Sequence, residues 1–128
     1  MLVAREFDLQ DRLIAYAVRI IKLSEALPES RAGKHVSSQI LRSGTSPAPN
    51  YGEAQSAESR ADFIHKLKVA LKELRETSIW LKIVAQAGLI QRAAALGSLL
   101  EETDELISIL FKSIDTARKN EEKARRNK

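Results

Sequence analysis

Four residues set around a proline-containing break, Arg42, Ser46, Asn50 and Glu53, recur at spacings of four, four and three. A continuous or gently kinked helix places such a row on one face. Two chemistries fit it. In a partly buried network, Arg42 offers forked donors to Glu53 while Asn50 bridges backbone groups freed by the prolines. In a polar pocket or phosphate site, Arg42 is the ligand instead. Plain solvent exposure is the third reading. A second row, His65, Lys68, Lys72 and Arg75, recurs at three, four and three, and Lys82 extends it approximately. Cations in such a row neutralise phosphates along a nucleic-acid backbone and position the ligand without reading its sequence. Acidic neighbours offer a blander description, because Asp62 with Lys66 and Glu76 with Lys72 are spaced for ion pairs on a solvated face. No aromatic residue is interleaved with the row in the way that stacks unpaired bases, so recognition by this row would rest on charge and shape.

Catalysis and metal binding find little support. Asp62 and His65 are one helical step apart, as in the ligand pairs of diiron bundles, but that chemistry needs a second pair and two more inward glutamates. The only other histidine is His35, with no matching carboxylate before it. Gly33-Lys34-His35 lacks the upstream glycine spacing and the following hydroxyl of a phosphate loop. No serine or cysteine nucleophile motif is present. We expect no enzyme activity, no metal and no cofactor.

The elements that must carry these rows are helices throughout, since apolar residues recur at helical spacing and never alternate. The first helix starts near Asp8, with Asp11 three residues on, and places Leu9, Leu13, Tyr16, Ala17, Ile20 and Leu23 inward before Pro28 closes it. The second opens after Ser30 and carries Val36 and Ile40 towards the break. There Pro47 and Pro49 interrupt the helix, and Ser46 as an N-cap restarts a short one through about Ala57. The spacing thus predicts a kink near Ser43 to Ser46. The third helix has a capping box in Ser59-Arg60-Ala61-Asp62 and a left-handed C-cap at Gly88, followed by the apolar latch of Leu89 and Ile90. Phe63, Leu67, Ala70, Leu74 and Leu81 form its inward stripe. The fourth runs from about Arg92 to Lys119, with Leu96, Leu99, Thr103, Leu106, Leu110 and Ser113 or Ile114 inward.

Short connections between four such helices favour an all-α, antiparallel up-and-down four-helix bundle with a proline kink in its second helix. Apolar residues remain over. Ile14, Val18 and Ile21 form an extra row on the first helix; Ile79, Trp80 and Ile83 flank the third; Ile107 and Phe111 broaden the fourth. Large unpartnered apolar surface marks a contact site, so a homo-oligomer is expected. A monomer with wide stripes around a thick core is the alternative.

The chain has 128 residues, enough for one domain with a core of its own. It contains no cysteine, which suits a reducing compartment. Met1 to Glu6 does not read as a signal peptide, and no stretch is apolar for long enough to span a membrane. We expect a cytoplasmic protein without membrane contact. The 21 basic and 17 acidic residues are unevenly placed: the last twelve residues hold six basic and two acidic ones, leaving fifteen of each elsewhere. The bundle domain is thus read as residues 1–119. Residues 120–128 are read as a basic, disordered tail in which Lys123, Arg125 and Arg126 attract phosphate backbones, or as a solubilising helix end.

Arg42-Ser43 with Thr45-Ser46, Asn50 and Glu53; Asp62 to Leu67 and Ala70 to Glu73; Glu76-Thr77 with Trp80-Leu81; and Ala87 to Ile90 stand in an order and spacing that are specific together. On these residues the chain, from Phe7 to Ile114, resembles the small four-helix bundle proteins encoded in intervening sequences of bacterial 23S ribosomal RNA genes. The chain has Ala54 where the family tends to have glycine after the glutamate. Pro47 and Pro49 flank the position of the family's single proline. The resemblance implies a ring-shaped homopentamer with a role related to nucleic acid, RNA or DNA. It also implies an alternative, a scaffold for a partner protein, similar to the accessory proteins of diversity-generating retroelements.

Overall fold

The starts of the second and fourth helices and the end of the fourth follow from local chemistry. In a computed structural model describing residues 8–127, five helices follow one another: α1 (Asp8–Ala26), α2 (Arg31–Thr45), α3 (Pro47–Gln55), α4 (Arg60–Ala87) and α5 (Ala93–Arg126). Met1 to Phe7, on which the expectation about a signal peptide falls, and Lys128 of the tail lie outside the described residues. Ser30 and Ser59 have extended backbones, and their hydroxyls accept from the amides of Gly33 and Asp62 at 3.1 and 3.0 Å. Each therefore satisfies one of the orphan donors at a helix start. Gly88 ends α4 with φ 65° and ψ 32°, a left-handed conformation that costs glycine nothing. The Leu89 amide then donates to the Val84 carbonyl at 3.1 Å, closing the helix end.

The polypeptide between α2 and α3 departs from the expected capped restart. Ser46 keeps helical angles, φ −70° and ψ −35°, and its side chain caps no amide. An N-cap oxygen bonds the second or third helical amide, and the third position here is Pro49, which has none to give. The Ser46 hydroxyl accepts from Asn50 Nδ2 instead, at 3.0 Å. Helices α2 and α3 thus form one arm broken at a single residue, and with α1, α4 and α5 they make a four-helix bundle.

Contacts across the arms run in opposite directions. Along α1, Gln10 meets Ala48, Ile20 lies against Gly44, and Ser24 accepts from Ser37. Between α1 and α5 the pairs are Arg12 with Glu105 and Glu102, Tyr16 with Thr103, and Arg19 with Ser98. Rising numbers on one helix meet falling numbers on the other, so neighbours are antiparallel. A Cβ added to Gly44 would sit 2.7 Å from both Ile20 Cγ1 and Cγ2, so α1 and α2 approach closely there because residue 44 has no side chain.

The expected inward residues Leu13, Ile20, Leu67, Leu74, Leu106 and Leu110 are fully buried. Two hydroxyl pairs sit among them. Tyr16 Oη lies 2.6 Å from Thr103 Oγ1, which gives its own hydrogen to the Leu99 carbonyl, so the phenol is the donor. Burial pushes the Tyr16 phenol above its ordinary range, which keeps it protonated. Thr77 and Ser43 hydroxyls meet at 2.8 Å and tie α4 to α2.

Helix α5 runs to Arg126, past its expected end near Lys119, and so takes in most of the residues read as the tail. Lys119 pairs with Asp115 at 3.1 Å and Arg125 with Glu121 at 3.5 Å, one turn apart, while Arg60 of α4 reaches Glu121 at 3.7 Å. Lys123, Arg125 and Arg126 also fall in the last turn, where cations suit the negative helix pole.

Candidate nucleic-acid interface

The polar row around the break is divided in the fold rather than joined. Arg42 turns across to α4, donating from Nη1 to Glu73 Oε1 at 3.0 Å and from Nη2 to Glu76 Oε2. It does not pair with Glu53. Eleven residues of helix separate the two, roughly 16 Å of rise, so a shared face gives them direction without proximity. Glu53 instead accepts from Lys66 Nζ at 2.7 Å. Asn50 stays local, donating to the carbonyl and hydroxyl of Ser46, both at 3.0 Å. With two carboxylates on its fork, Arg42 is more than neutralised, which removes the attraction a phosphate site there would need. The Arg42 guanidinium is pushed up by its hydrogen bond to Glu76. Glu76 is held below its ordinary 4.5, first by the Trp80 indole that donates to it at 3.0 Å and then by Arg42. Trp80 also meets His35 edge to face, with ring centroids 5.9 Å apart, and is half-buried.

These pairings change the standing of the cationic row. Glu76 faces α2, so it is not the partner of Lys72 that helical spacing suggests, and Lys66 is taken by Glu53 rather than Asp62. Among the described residues Lys68, Lys72 and Arg75 have no carboxylate within ion-pair distance, and all three are exposed. Together with Arg118 of α5, likewise unpaired, they line a groove of about 350 Å³ whose remaining walls are Leu71, Phe111 and Ile114. No acidic residue lines it. Four positive charges therefore converge on one apolar-floored channel between α4 and α5.

The other candidates lie around this channel or away from it. His65 is exposed on α4 one step before Lys68 and does not line the groove. Arg125 follows Arg118 by seven residues and so keeps to the same side of α5, but it is partnered by Glu121. Lys123 and Arg126 are exposed and unpaired among the described residues, and they differ from Arg118 in helical phase. Sequence reasoning passed over Arg118 and gave Phe111 only an apolar role. Their spacing of seven, which repeats one helix face, was the available signal. Among the described residues no three His, Cys, Asp or Glu side chains gather to hold a metal ion. No helix there is long and apolar enough to cross a membrane.

An all-helical four-helix bundle, with buried hydroxyl pairs tying its helices together, is the class of protein this geometry defines. The model of the 23S rRNA-intervening sequence protein family matches residues 5–112, and the chain belongs to that family. It is similar to the 1.70 Å crystal structure of a protein with unknown function from the S23 ribosomal protein family of Bacteroides thetaiotaomicron. The two share 40% identity with a TM-score of 0.77, over 83% of this chain and 97% of that one. Among curated proteins none matches.

Proposed function

We propose that this chain is a non-enzymatic, oligomeric bundle that associates with nucleic acid, RNA foremost, through backbone electrostatics in the cytoplasm. The observation that carries the reading is the α4–α5 groove, where Lys68, Lys72, Arg75 and Arg118 stand together without carboxylate partners. Surface charges in proteins are usually interspersed with opposite ones, and a single-sign channel focuses a field that attracts a polyanion. The family name, with its tie to ribosomal RNA genes, favours the same partner class.

Assembly supports the reading by repeating the groove. Ile14, Val18 and Ile21 of α1 are 49%, 43% and 42% exposed, and Leu41 on the neighbouring arm is 38% exposed. On α4, Ile79 and Ile83 are 59% and 40% exposed. Ile14, Val18 and Ile21 are each about half a turn out of phase with Arg12, Tyr16 and Arg19, which meet α5, whereas Ile79 and Ile83 continue the row of Lys72 and Arg75 beside the α4–α5 groove, so helical phase puts the two patches on different sides of the bundle. Different patches that complement each other make head-to-tail contacts, and such contacts close into rings when the rotation allows. Five subunits is the number the family resemblance implies. The α2–α3 arm bends where Pro47 and Pro49 each remove a backbone donor, which shapes the side of the subunit that meets its neighbour.

Fluorescence anisotropy with a labelled structured RNA tests the reading. Binding that tightens as salt is lowered is the expected result. No binding at low salt rejects it.

A further inference from the structure

Phe111 is 56% exposed although it is a large apolar ring. It stands in the α4–α5 groove, with Lys68, Lys72 and Arg75 across from it on α4 and Arg118 two turns along its own helix. The groove volume of about 350 Å³ falls within the ~300–1,000 Å³ of small-ligand pockets. An aromatic face ringed by cations, with no carboxylate in the lining, is complementary to a flat base attached to a phosphodiester chain. It suits a partner helix or an acidic peptide less well, because the one wants a longer apolar stripe and the other makes no use of the ring. Single-stranded nucleic acid is held by this combination: phosphates on a basic groove and bases stacked on aromatic side chains, without sequence preference. Double helices keep their bases inside and offer the ring nothing to stack on.

From this placement we infer that Phe111 is a stacking platform and that the groove prefers single-stranded nucleic acid with an accessible base. The inference rests on the proposed nucleic-acid association and narrows its ligand class. Lys68, Lys72, Arg75 and Arg118 take the backbone on both sides of the ring, so the base is the only part of the ligand that reads residue 111.

The test measures anisotropy of labelled oligouridylate, a matched abasic oligonucleotide and an RNA duplex against wild type, Phe111→Ala, Phe111→Leu and Phe111→Trp. Circular dichroism and the mass of each assembly are recorded alongside. Stacking is worth enough that Phe111→Ala should weaken oligouridylate binding about tenfold. Phe111→Leu, which keeps apolar bulk without a π face, should weaken it comparably, and Phe111→Trp should restore it. Abasic and duplex ligands should bind all four proteins alike. If Phe111→Ala leaves oligouridylate affinity unchanged while binding persists, the platform is refuted and the electrostatic reading survives. If no ligand binds wild type at low salt, both fail. A changed assembly mass in Phe111→Ala would assign the ring to a subunit contact and overturn the inference.

Discussion

Neutralising the groove gives a quantity that can be worked out beforehand. Each phosphate contact with single-stranded nucleic acid contributes about −0.7 to the slope of log K against log salt, through counterion release. Four groove cations therefore account for a slope of roughly −2.8 per subunit if each meets one phosphate. Over a fourfold rise, from ~50 to ~200 mM salt, affinity should fall roughly 50-fold through these contacts alone. Replacing Lys68, Lys72, Arg75 and Arg118 together by glutamine should flatten the slope by about that amount, and each single replacement by about a quarter of it. All four are exposed, so folding should be undisturbed. Lys22→Gln with Lys34→Gln, on other helices, serves as the control and should leave the slope nearly unchanged. Anisotropy titrations at several salt concentrations supply the slopes. An unaltered slope in the fourfold variant, or an equal loss in the control, would refute the assignment of charge to this groove.

Three further outcomes follow from particular contacts. Thr103→Val removes the acceptor of the buried Tyr16 hydroxyl and should cost about 1–3 kcal/mol in urea denaturation at fixed subunit concentration; the Tyr16→Phe/Thr103→Val pair should be more stable than Thr103→Val alone, since no orphan donor remains. Glu76 has a lowered folded-state pKa, so its contribution is present above its unfolded value near 4.5 and is lost as pH falls through the lower folded value. The sole tryptophan, Trp80, donates to Glu76, so its fluorescence should change in that acid window and stay flat there in Glu76→Gln. Ile79→Glu with Ile83→Glu should leave a folded bundle but shift sedimentation towards a smaller species; an unchanged assembly would remove this face from the subunit contact.

Much of the bundle is legible before any coordinates, because caps and stripes are local. Ser59 with Asp62 and Gly88 with Leu89 bound α4 through groups a few residues apart, and the periodic leucines name the core. The surplus row of Ile14, Val18 and Ile21 is readable too, since one helix cannot bury two faces against one core. What escapes is pairing between helices. Arg42 and Glu53 share a phase, yet the carboxylates beside Arg42 belong to α4, and nothing in the local sequence says which turn of α4 lies opposite. The same gap hid the groove. Lys72 reads as paired with Glu76 until the crossing of α2 and α4 claims that carboxylate. Phe111 reads as surplus apolar surface, and only the packing of α5 against α4 shows that it stands among unpaired cations. The tail reads as frayed from composition, while an ion pair to Arg60 across the bundle lies beyond any reading of its own residues.

Native mass spectrometry of the wild-type protein and the Lys68/Lys72/Arg75/Arg118 glutamine variant, each with and without a short single-stranded RNA, tests most directly whether the unpaired cations are a nucleic-acid surface. The expected spectra show one oligomer for both proteins and RNA adducts for the wild type only. Adducts of equal abundance on the two proteins, or none on either at low salt, would contradict it.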